Sequence, residues 1–99
     1  MSISITVDTA TGNITVAPST AYFNRGQTVQ WGLTNSNGTS LTISFKDGTP
    51  FNTQQVSGSN SVESGILTDA PKGVYHYIVA AQVGGTIYVT PGCPEIVVQ

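Results

Sequence analysis

Charge and metal-binding side chains are both scarce in this 99-residue chain. Three Lys/Arg and five Asp/Glu leave a formal net charge of −2. Three basic residues are too few for the phosphate-tracking patch of a nucleic-acid binder, so no nucleic-acid partner is expected. One cysteine, Cys93, excludes an internal disulfide. One His and one Cys also fall short of the four Cys/His ligands of a structural zinc site. There is no run of 18 apolar residues, so no membrane-spanning helix is expected. Helix formers are few as well: Ala, Leu and Met together number ten. The start of the chain, Ser2-Ile3-Ser4-Ile5-Thr6-Val7, alternates and carries no basic stretch before it, so no signal peptide is read there. The expected location is cytoplasmic if Met1 is the native start, and secreted or cell-surface otherwise.

The chain is rich in residues suited to strands. Val, Ile and Thr make up 33 of the 99 residues, and β-branched side chains favour the extended backbone. Turn signals recur every eight to twelve residues, which is the spacing of a sandwich or barrel. The expected fold is therefore all-β, a Greek-key sandwich or barrel of seven or eight strands, forming one domain over residues 1–99.

The alternation places individual strands. Ile3, Ile5 and Val7 share one face of a first strand, and Ile14 and Val16 begin a second that stops at Pro18. Val29, Trp31 and Leu33 alternate, as do Leu41, Ile43 and Phe45. Asn37-Gly38 between them reads as a two-residue hairpin turn. Residues 49–61 read as a long polar loop, with Phe51 and Val56 tucked inward, and Val62 to Leu67 as a weak strand. Val74 to Val83 is apolar on both faces, the pattern of a central strand covered on two sides. Gly84-Gly85 is a second hairpin signal, and Glu95 to Gln99 is the last strand.

Val16-Ala17-Pro18, Gly26, Val29-Gln30-Trp31, Leu41 to Phe45, Gly73-Val74-Tyr75-His76-Tyr77 and Pro94-Glu95-Ile96-Val97-Val98 follow one another in this order. Together they resemble the cupredoxin family, the blue-copper β-sandwiches, over residues 3 to 98. Asp69-x-x-x-Gly73 before the two tyrosines also resembles the tyrosine corner of immunoglobulin-like domains, and the sequence leaves both connectivities open. The resemblance implies a His near the start of the Leu41–Phe45 strand, and a Cys, a second His and a Met at the end of the Tyr75–Tyr77 strand. Here Leu41 or a neighbour takes the first place and Val79 takes that of the Cys. Ala80-Ala81-Gln82-Val83-Gly84-Gly85 follows, without His or Met. A blue-copper centre needs two imidazoles and a thiolate on one ion, and a single His cannot supply them. No cofactor and no metal ligand set is therefore expected.

The candidate residues have plain structural readings. His76 has no acid near it in sequence to orient it as a base, and reads as a locally bonded sheet-face residue. Cys93, with no basic residue within ten positions, reads as a small buried apolar side chain. A His76–Cys93 metal site would need a second copy to complete it. Trp31 reads as core. Tyr75 and Tyr77 read as buried rings whose hydroxyls bond to backbone. Asp8, Asp47 and Asp69 sit in turns, and no two acids are spaced as a glycosidase pair. No Gly-x-Ser-x-Gly elbow is present. These absences point to a non-enzymatic binding or structural-assembly module, with a homodimer or another protein as the expected partner. The alternative is a carbohydrate-binding or immunoglobulin-like adhesion sandwich, with Tyr22, Phe51 or Tyr88 as stacking platforms and a glycan as ligand.

Overall fold

A computed structural model describes residues 2–90 and 92–99. They form ten strands in chain order: β1 (Ser2–Asp8), β2 (Asn13–Ala17), β3 (Thr20–Phe23), β4 (Thr28–Leu33), β5 (Gly38–Phe45), β6 (Gln55–Gly58), β7 (Ser61–Gly65), β8 (Gly73–Val83), β9 (Thr86–Val89) and β10 (Glu95–Val98). Four strands make one sheet in the order β2-β1-β4-β7. The other six make a second, β3-β10-β8-β5-β6, with β9 also paired to β8. Two pairings are parallel, β1 with β4 and β10 with β3, and the rest are antiparallel.

The period-2 pattern of the sequence is realised strand by strand. In β1 every second residue (Ile3, Ile5, Val7) is buried and the Ser, Thr and Asp between them are exposed. Leu41, Ile43 and Phe45 of β5 and Tyr77, Val79, Ala81 and Val83 of β8 face these side chains across the interior. Trp31 of β4 is fully buried. It meets Tyr77 edge-on, with ring centroids 5.7 Å apart, and Phe51 at 5.8 Å. This aromatic cluster ties the two sheets together.

Three local expectations change in the structure. Asn37-Gly38 does not close a hairpin between β4 and β5, because the chain passes there from one sheet to the other. Gly38 has an ordinary φ, and its place is set by space: a Cβ there would lie 2.3 Å from a Leu33 methyl. Gly84-Gly85 does form a two-residue turn. Both residues have positive φ (59° and 83°), and Val83 pairs with Thr86 across the turn. The polar stretch 49–61 contains β6, whose Val56 pairs with Ile43. Together with the short β3, this brings the count to ten rather than seven or eight. In β6 (Gln-Val-Ser-Gly) ladder pairing with β5 overrides weak propensity.

The third change concerns β8, which is covered on one face only. Its buried residues alternate with Val74, His76, Ile78, Ala80 and Gln82, which are exposed or half-buried. The apolar residues that suggested two-sided cover thus lie on an open sheet face.

Candidate functional site

His76, Glu95, Thr20, Lys46 and Cys93 gather at that open face. The register pairs Glu95 of β10 with His76 of β8 on one side and with Thr20 of β3 on the other. The odd-numbered residues of β10 point outward, so all three side chains form one row across the strands. His76 Nε2 is 3.0 Å from Glu95 Oε2, and the Thr20 hydroxyl donates to Glu95 Oε1 at 3.0 Å. Lys46 follows the last residue of β5 on the far side of β8, where its backbone N–H donates to the His76 carbonyl at 3.4 Å. Its side chain crosses β8 to bring Nζ within 3.5 Å of Cys93 Sγ.

One sequence reading is extended here and one is corrected. His76 lies on a sheet face as expected, and its partner there is an acid. Glu95 lies 19 positions away in the chain, and only the β8–β10 register brings the two together. Cys93 is exposed rather than buried, and its basic neighbour Lys46, just after β5, is brought near by the β5–β8 pairing. Neither Glu95, Thr20 nor Lys46 carried a local signal. The one available hint was the isolated charge of Glu95 in an otherwise apolar last strand.

The order of the row bears on its chemistry. In a hydrolytic triad the nucleophile bonds to the base and the base to the acid. Here the hydroxyl of Thr20 bonds to the carboxylate, so Glu95 stands between Thr20 and His76, and among the described residues no hydroxyl bonds to the imidazole. The His76 side chain is 45% exposed and that of Glu95 29%, so this contact contributes at most about 1 kcal/mol of stability.

The remaining candidates are more widely scattered. Phe51 is buried against Trp31 and Phe45 and offers no stacking surface. Tyr88 is partly buried against the core, and Tyr22 alone of the three presents an open ring. The Tyr75 hydroxyl donates to the Pro71 carbonyl, the backbone bond expected of it. Tyr77 differs, since its hydroxyl and the Trp31 indole N–H are buried without a hydrogen-bond partner. Asp8 caps its turn by accepting from the N–H groups of Ala10 and Thr11.

The region where the resemblance puts copper ligands is lined by hydrocarbon. Leu41, Val79 and Ala81 are fully buried, and Val83 nearly so. None has an atom that coordinates a metal, so these residues do not fit a copper ion. Among the described residues no three His, Cys, Asp or Glu side chains converge on one point. A cleft of about 220 Å³ beside Cys93, lined by Ile14, Val16, Ser19 and Thr90 among others, is smaller than the roughly 300–1,000 Å³ of typical small-molecule sites.

No family profile matches the chain, and no curated protein does. Solved structures do match, among them the "Novel Purple Cupredoxin from Nitrosopumilus maritimus", with 18% identity and a TM-score of 0.55 over 97% of this chain and 98% of that one. Among the described residues no helix is long and apolar enough to cross a membrane. At this level of identity the likeness concerns architecture, and it shows that the chain has a cupredoxin-like fold.

Proposed function

We propose that this chain is a metal-free, non-enzymatic cupredoxin-like module that acts by binding or assembling with protein. The observation that carries this reading is the filling of the expected ligand region with Leu41, Val79, Ala81 and Val83. A blue-copper centre needs imidazole and thiolate donors on one ion, and these positions contribute to the core instead. The Thr20–Glu95–His76 order supports the absence of a hydrolytic role, since the base of such a site must touch its nucleophile.

A bound ion raises the stability of the state that binds it. Thermal unfolding is therefore expected to give the same Tm in the presence of a strong chelator, without additions, and with a twofold excess of Cu(II) or of Cu(I). A copper-dependent rise in Tm that the chelator reverses would overturn the reading.

A further inference from the structure

We infer that the open face of the six-stranded sheet is a self-association surface whose occupant is a second copy of this chain. This inference rests on the assembly reading above, and the first observation behind it is how unlike the two outer faces of the sandwich are. On the four-stranded sheet the outward residues of β1 and β4 are Ser2, Ser4, Thr6, Asp8, Thr28, Gln30 and Gly32, with no apolar side chain among them. On the six-stranded sheet lie four of the five exposed large apolar side chains found among the described residues: Tyr22 (57% exposed), Val74 (53%), Ile87 (66%) and Val89 (54%). With Ile78, Ala80 and Val97 they lie along β8 and its neighbours. The β8 sequence is that of a strand covered on both sides, yet the described residues cover only one.

The second observation identifies the cover. Rows of like character run across the strands of this face. One row is apolar, Tyr22–Val97–Val74. The next is polar, Thr20–Glu95–His76, with Lys46 beside it. Further along β8, Ala80 pairs with Val89, and Gln82 with Ile87. A two-fold axis in the interface plane, parallel to the strands and between β8 and its β10/β9 neighbours, keeps each row opposite itself. Val74 of one copy then faces Val97 of the other, and Ala80 faces Val89. His76 of each copy faces Glu95 of the other, so an imidazole and a carboxylate meet twice. Such a contact is isologous and closes as a dimer. The face therefore sets apolar rows on apolar rows and polar groups on polar groups, whereas a strongly charged partner would meet both the Glu95 carboxylate and the Lys46 ammonium. The long side of a molecule measuring 40 × 21 × 21 Å has room for the ~800 Å² per partner of a standard interface.

The test uses Val74, whose exposure lets substitutions fold. Sedimentation equilibrium from about 1 μM to 1 mM, the weak end of standard interfaces, is expected to show the full chain as a dimer. Val74→Lys and Val74→Glu are each expected to weaken the dimer by roughly a hundredfold, because each dimer then buries two unpaired like charges. An equimolar mixture of the two variants is expected to recover a heterodimer, since the parallel axis places residue 74 of both copies in one row. Ser4→Glu, on the other sheet, is expected to leave the dimer intact, and circular dichroism checks that every variant is folded. A wild-type monomer at 1 mM overturns the inference. So does a dimer that Val74→Lys leaves intact, or a failure of the two variants to recover association on mixing. None of these results bears on metal content, so the assembly surface and the metal-free reading stand or fall separately.

Discussion

Replacing Trp31 with Ala is expected to cost about 3–5 kcal/mol of unfolding free energy, the range for truncating a buried aromatic. Trp31 stands on β4 of one sheet. The rings it meets come from β8 of the other sheet (Tyr77) and from the β5–β6 connection (Phe51). Phe45 of β5 completes the cluster, 5.4 Å from both Phe51 and Tyr77. Truncation therefore opens a cavity between two sheets rather than at the rim of one, where neighbouring side chains could collapse into it. Domains of this size are stable by only about 5–15 kcal/mol in total, so the loss removes a large share. Trp31→Phe keeps one aromatic ring and is expected to lose clearly less. Urea unfolding followed by circular dichroism, with the midpoints compared at a common slope, measures both. A Trp31→Ala loss below about 1.5 kcal/mol would be in the range of volume-conserving swaps and would contradict the interior described here.

Alkaline pH is expected to reveal the second aromatic of this cluster. Burial pushes the Tyr77 hydroxyl from its ordinary 10.0 up to about 12, and the nearby Trp31 indole N–H opposes this in part, although the two do not meet in hydrogen-bond geometry. In the folded protein the phenol stays neutral until about pH 12, whereas in the unfolded chain it ionises near pH 10.0. Between these values the unfolded chain holds fewer protons, so stability falls as pH rises, by about 1.4 kcal/mol per pH unit. Below the unfolded value the group has no effect. The accumulated loss at the folded pKa is on the order of 2–3 kcal/mol. Tyr77→Phe removes the ionisable group and also a buried hydroxyl without a partner, so at neutral pH the variant is expected to be at least as stable as the parent. The difference in unfolding free energy between parent and Tyr77→Phe, followed from pH 8 to 12, should widen in favour of the variant above pH 10. A constant difference would show that Tyr77 titrates normally.

Both predictions draw on residues whose surroundings were legible in the sequence. The alternation Val29-x-Trp31-x-Leu33 put Trp31 in the core, and the same logic buried Ile3, Ile5, Leu41 and Ile43. Gly84-Gly85 announced its turn, because positive φ at two successive residues favours glycine. What could not be read depended on long-range pairing. Asn37-Gly38 has the composition of a hairpin but sits where the chain changes sheets, and no local signal separates the two. Glu95 and His76 meet only because β10 pairs antiparallel with β8 in one register. Shifting that register by one residue would turn Glu95 to the opposite face. Lys46 reaches Cys93 for a similar reason, across a strand that neither belongs to. The apolar residues on both faces of β8 were legible in the sequence, but the two-sided burial they suggested is not found among the described residues. The sequence of one chain does not say whether the second face is covered by that chain or by another molecule.

The account depends on hydrocarbon standing where the resemblance puts copper ligands. Its most direct test is elemental analysis of the protein purified without chelator, together with its visible absorption spectrum. The expected result is far less than one copper per chain and no intense thiolate-to-copper band. One copper per chain with such a band would contradict the account.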